Sequence, residues 1–183
     1  QIGADGGLLA SPIDSDKLLL IPGQRADVIV TPRGAPNEIA FLMWQPYDRG
    51  FGSTEFRNPE ELVRIQYDAD EEVIAEGGAP PVPSRTVEAL DTSSATPVKI
   101  QLTESKDADG NTVLGIDGVP FSEAQPYPAF IGETQVWTIE NTMQWARPFH
   151  RHGFFFQVLG DDGLPEAPVA WRDTVDIPVY GTR

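Results

Sequence analysis

Apolar residues fall in short runs separated by Gly, Pro, Asp and Asn, and no stretch of a dozen residues holds a 3.6-residue period. That pattern predicts strands rather than helices. Lys17–Ile21 and Arg25–Val30 flank Pro22-Gly23 and read as two strands joined by a tight turn, with Ala26, Val28 and Val30 on one face. Glu38–Trp44 gives a third strand, and Leu62–Tyr67 alternates with Val63, Ile65 and Tyr67 on a shared face. Further strands are expected at Val98–Thr103, Val113–Ile116, Gln135–Glu140, Phe154–Leu159 and Thr174–Val179. Of these, Phe154–Leu159 is nearly all apolar, the pattern of a strand buried on both faces. Asp107–Asn111 (DADGN) and Asp161-Asp162-Gly163 supply turn chemistry, Asp bonding the local backbone and Gly accepting positive φ. The DADGN string also has the start of a calcium loop but lacks the Glu at its twelfth position, so it reads as a hairpin turn.

Asp68–Arg85 is acidic and then Gly/Pro-rich, and reads as an interdomain linker extended by its prolines, with a long surface loop as the other reading. The expected organisation is a partial β-domain over residues 1–70, a linker over 71–85 and a nearly complete β-domain over 86–183. An apolar share of 40% against 22% charged residues excludes a disordered chain. The net charge of −15 is spread over both halves and repels phosphate backbones and anionic lipid, so no nucleic-acid partner is expected. No apolar run approaches the roughly 18 residues of a membrane span, and no membrane insertion is expected. With no Cys, the chain itself holds no disulfide, zinc–thiolate site or thiol nucleophile. It begins at Gln1, without a signal peptide.

The two histidines of the chain stand two residues apart in Arg147-Pro148-Phe149-His150-Arg151-His152-Gly153. On a strand, positions i and i+2 project from one face about 6.6 Å apart, which suits neighbouring metal centres better than one small ion. Imidazole is a preferred ligand of copper, zinc and iron. A pair of hydrogen-bonded, partly buried histidines is the competing reading. No Gly-x-Ser-x-Gly nucleophile motif occurs, and Glu60-Glu61 and Glu71-Glu72 are sequence neighbours facing opposite ways, so they read as solvated. Trp137, Trp145 and Trp171 read as core or rim packing rather than an electron relay.

The segment RPFHRHGFFFQVL resembles the C-terminal motif of the multicopper oxidases, His-Pro-x-His-x-His-Gly followed by an apolar strand. Asp5-Gly6-Gly7-Leu8-Leu9 and LLLIPGQRADVIV (18–30) are similar to the second half of that family's middle domain, and Pro46-Tyr47-Asp48-Arg49-Gly50 to a loop of its bacterial members. Thr134–Asn141 and Trp171–Ile177 bracket the histidine motif as they do in the family. The resemblance implies an all-β, cupredoxin-like Greek-key β-sandwich, with part of the middle domain and most of the C-terminal one. It implies a laccase-like oxidoreductase that oxidises a phenol, aromatic amine or metal ion by one-electron steps and reduces dioxygen to water. His150 would then bind the type 2 copper and His152 one type 3 copper of a trinuclear cluster. The same resemblance implies an extracellular or periplasmic location, and further domains supplied by the same parent chain or another copy.

Two departures matter. The position of the family's first motif histidine, a type 1 copper ligand, is Arg147, which offers donors and no lone pair. The type 1 site also needs a Cys thiolate, which this chain lacks. Arg151 puts a positive charge between the two candidate ligands. The chain therefore reads as a fragment of a longer protein, inactive by itself, with Ile177–Val179 forming a strand whose partner is missing. The alternative is a redox-inactive cupredoxin module with a structural or interaction role.

Overall fold

The structure, a computed structural model, describes residues 1–30, 34–50, 57–68 and 85–183. The expected linker, residues 71–85, lies outside the described residues except for Arg85. Among the described residues the regular elements are ten strands and one 3₁₀ turn, Phe121–Glu123, in keeping with the short apolar runs. No helix there is long and apolar enough to cross a membrane.

The largest sheet has four strands: β5 (Thr96–Lys106), β6 (Thr112–Ile116), β7 (Val119–Pro120) and β8 (Gln135–Asn141), in the order β7-β6-β5-β8. The DADGN turn joins β5 to β6 as an antiparallel hairpin. Asp107 Oδ1 accepts from the amides of Asp109 and Asn111, and Gly110 takes φ +82°. β5 and β8 run parallel, with Ile100 opposite Ile139, both buried. Strands β3 (Ile39–Trp44) and β4 (Glu60–Gln66) pair antiparallel with a bulge at Leu42/Met43. A two-stranded ribbon joins β9 (Arg147–His150) to β10 (Thr174–Ile177), and β1 (Gly3–Ala4) pairs with β2 (Gly7–Leu8).

Buried Asn141 ties the end of β8 to the turn after β10: its side-chain amide donates to the carbonyls of Trp145 at 2.7 Å and Pro178 at 2.8 Å, and its Oδ1 accepts from Met143 N at 3.0 Å. Beside it, Thr142 Oγ1 donates to Leu102 O at 2.9 Å. A smaller core of Ala4, Leu9 and Ala170, with Ile13 packed on it, joins the first segment to the segment before β10.

Three expectations are corrected. Lys17–Ile21 and Arg25–Val30 are not strands, although Pro22-Gly23 does form a turn closed by Gln24 N on Ile21 O at 2.9 Å. The amide of Arg25 donates instead to Asp5 Oδ1 at 2.7 Å, a side-chain bond that competes with a sheet ladder, and Asp27 makes only an isolated bridge with Gly3. Phe154–Leu159 is likewise not a doubly buried strand: Phe154 is 67% exposed, and pairing is confined to isolated bridges of Phe156 with Arg172 and of Leu159 with Pro165. Pro165 and Pro168 lack the N–H groups that a continuous partner ladder would need. The segment from Thr174 does not lack a partner, because β10 pairs with β9 and Arg183 exchanges two backbone hydrogen bonds with Ile139.

Candidate metal centre

His150 ends β9 directly opposite Thr174, the first residue of β10. That register brings His150 Nδ1 to 2.8 Å from Thr174 Oγ1 and 3.4 Å from Asp173 Oδ1. His152 lies beyond the strand, ahead of the bend at Gly153, where φ is +80°. The two imidazoles meet edge to face with ring centroids 4.8 Å apart, at an interplanar angle of 66°. The two rings are thus in direct contact although the chain leaves the ladder between them. His150 keeps 36% of its side chain exposed, so one edge of the ring faces out while Nδ1 is held from behind.

The support behind His150 comes from both ends of the chain. Asp173 receives the fork of Arg25, Nη1 on Oδ1 at 2.8 Å and Nη2 on Oδ2 at 2.7 Å, and Thr174 Oγ1 donates to Asp173 Oδ1 at 2.8 Å. Arg25 holds the Asp173 carboxyl below the usual range for Asp against the opposing effect of burial. Asp5, its side chain fully buried, accepts from the amides of Asp173 and Thr174 through Oδ2 at 3.2 and 3.3 Å. Nearby, Gly6 N donates to Trp171 O at 2.9 Å. A Cβ at Gly6 would fall 2.3 Å from Trp171 Cβ, so only glycine allows this approach.

The two arginines of the motif do different things. Arg151 lies over the rings of Trp137 and Phe154, 5.2 Å from each centroid, a cation–π arrangement. It thereby lines a cleft of about 700 Å³ with Trp137, Phe149 and Phe155. Arg147 lies over Trp145 at 4.8 Å, with Nη2 3.5 Å from Met143 Sδ. Its Nε is buried and meets no hydrogen-bond acceptor among the described residues. Burial pushes the Arg147 guanidinium below its ordinary pKa, the charge of Arg49 adds to that, and Glu104 opposes it. Arg49 belongs to the Pro46–Gly50 loop, which docks on this side through Ala146 N on Arg49 O at 2.7 Å.

A family model for multicopper oxidases matches residues 91–183. The chain belongs to the multicopper oxidase family. It is 25% identical over 170 residues to the multicopper oxidase LPR2 of Arabidopsis thaliana, covering 89% of this chain and 28% of that protein. To the laccase of Bacillus subtilis (strain 168) it is 25% identical over 166 residues, covering 87% of this chain and 31% of the laccase. It thus spans about a third of the length of these relatives. Among solved structures, the 2F4 variant of the McoA multicopper oxidase from Aquifex aeolicus superposes with a TM-score of 0.76 at 25% identity, over 99% of this chain and 41% of that one. The fold is the all-β, cupredoxin-like one that the histidine motif and its flanking blocks imply.

The donor chemistry of the histidine pair fits copper: two adjacent imidazoles, one with Nδ1 already engaged by a buried hydroxyl and a carboxylate, the usual second shell of a metal-bound histidine. The Arg147 position does not fit, having no lone pair to give. Among the described residues no group of three or more His, Cys, Asp or Glu side chains forms a ligand set, so the pair stands without further side-chain ligands there. Sequence reasoning gave no role to Thr174, Asp173, Asp5 or Arg25. Their signal was present only as the Trp171–Ile177, Asp5–Leu9 and 18–30 blocks, whose meeting in space carries the meaning.

Proposed function

We propose that this chain is the part of a laccase-like multicopper oxidase that presents two ligands of a trinuclear copper cluster, His150 to the type 2 copper and His152 to one type 3 copper. The observation that carries this reading is the edge-to-face histidine pair with its Thr174–Asp173 support. Bound copper would supply the one-electron chemistry by which a phenol, aromatic amine or metal ion is oxidised and dioxygen is reduced to water.

The protein's own part is to hold and orient. Asp173 and Thr174 fix the rear of the His150 ring, and the Arg151 guanidinium is engaged on the rings of Trp137 and Phe154. In this reading residues 1–70 belong to a middle cupredoxin-like domain, 71–85 to a linker and 86–183 to the C-terminal domain. Domains from the same parent chain or another copy complete the cluster, in an extracellular or periplasmic setting.

A redox-inactive module is the second reading, and one observation favours it: a guanidinium packed on Trp145 occupies the place of a type 1 ligand. Titration of the 183-residue chain with Cu(II) separates the two. The oxidase reading expects binding at about micromolar affinity or weaker, because two ligands leave the coordination incomplete, and expects His150→Ala and His152→Ala each to weaken it further. Copper uptake identical in the wild type, His150→Ala and His152→Ala would overturn it.

A further inference from the structure

We propose that Asp5 and Arg25 are positioning residues for His150, acting through Asp173 and Thr174 to fix its ring as the Nδ1–H tautomer and leave Nε2 as the lone-pair nitrogen. The inference rests on the reading of His150 as a copper ligand, and it specifies which atom of His150 that ligand is.

Proton counting carries the argument. An ionised carboxylate only accepts, and Asp173 already takes both arms of the Arg25 fork. The Thr174 hydroxyl has a single proton, and it is donated to Asp173 Oδ1 at 2.8 Å. Towards His150 the same oxygen therefore offers only lone pairs. Its 2.8 Å contact with Nδ1 is a hydrogen bond only when Nδ1 carries the proton. The opposite tautomer would set two lone pairs against each other or pull the hydroxyl away from Asp173. Thr174 is fully buried, which leaves no room for water to repair either arrangement.

Asp5 and Arg25 hold this chain of bonds in place from across the sequence, Arg25 lying 148 residues from Asp173. Arg25 also donates to the carbonyls of Gly23 at 2.9 Å and Asp5 at 3.0 Å, which orient its fork towards Asp173. Asp5 binds the backbone amide of Arg25 and those of Asp173 and Thr174, locking the two segments together. Gly23, at φ +92°, backs the same pair: a Cβ there would lie 3.4 Å from Thr174 Oγ1 and 3.7 Å from His150 Nδ1. The first segment thus closes the rear of the His150 site.

Long-range ¹⁵N–¹H correlation NMR of the metal-free, histidine-labelled chain near pH 8 tests the proposal, with His152→Gln assigning the two rings. The wild type should show His150 as Nδ1–H. Thr174→Val and Arg25→Ala should shift the tautomer ratio towards Nε2–H by about fivefold or more, the value of one ordinary hydrogen bond, while His152 is unmoved. Thr174→Ser restores the hydroxyl and should restore the wild-type ratio. Should Thr174→Val or Arg25→Ala fail to fold, Arg25→Lys, which keeps the charge but loses the fork, should still give a partial shift. A wild-type His150 in the Nε2–H form, or a ratio that none of these variants moves, would overturn the proposal. Failure of the copper reading looks different: added Cu(II) would leave the His150 resonances sharp while the tautomer result stood.

Discussion

Asp176, on β10, lies against the Tyr47 hydroxyl at 3.4 Å, yet burial raises its carboxyl pKa above the usual range for Asp and only part of that is offset by Tyr47, Arg49 and Arg183. A carboxyl whose folded pKa exceeds its unfolded value destabilises the fold as pH rises from the ordinary Asp range through the raised one, and the penalty persists at neutral pH. Asp176→Asn keeps an acceptor for Tyr47 and removes the charge. It should raise Tm at pH 7, a gain that fades as pH falls through the ordinary Asp range and the carboxyl becomes protonated in both states. Thermal melts of both proteins from pH 3 to 8 check this, and a variant less stable than the wild type at pH 7 would contradict it. At this scale the sequence made the histidines legible because there are only two and they share one motif. Thr174 and Asp173 were not legible as partners, since a hydroxyl and a carboxylate acquire that role only from the register that sets Thr174 opposite His150.

Among the elements, strands β5, β6 and β8 and the DADGN hairpin followed from apolar runs and turn chemistry, whereas the parallel pairing of β5 with β8 is visible only in the structure. The misses share a cause: apolar composition marks strand propensity, but a strand also needs a partner with free N–H and C=O groups. Arg25–Val30 loses its ladder to Asp5, and Phe154–Leu159 faces a proline-interrupted segment. Docking of the first segment on Trp171 depends on the missing side chain at Gly6. Gly6→Ala would set a Cβ 2.7 Å from Trp171 O, backbone that cannot yield cheaply. It should cost about 1–3 kcal/mol, read by urea denaturation, and a neutral substitution would mean that the segments do not meet as described.

Across the whole molecule, the candidate centre is built from blocks far apart in the sequence, residues 5–25 behind the ring and 147–152 with 171–174 around it. The net charge of −15 favours approach of a cation and disfavours polyanions. The multicopper oxidase family gives that assembly its chemical context. Pulsed EPR of the Cu(II)-loaded chain tests the copper claim most directly, because the coupling pattern counts coordinated imidazoles. Coordinated imidazole nitrogen is predicted for the wild type, a reduced contribution when either His150→Ala or His152→Ala removes its ring, and none for the double variant. A coupling pattern unchanged by either substitution, or one without imidazole nitrogen in the wild type, would contradict it.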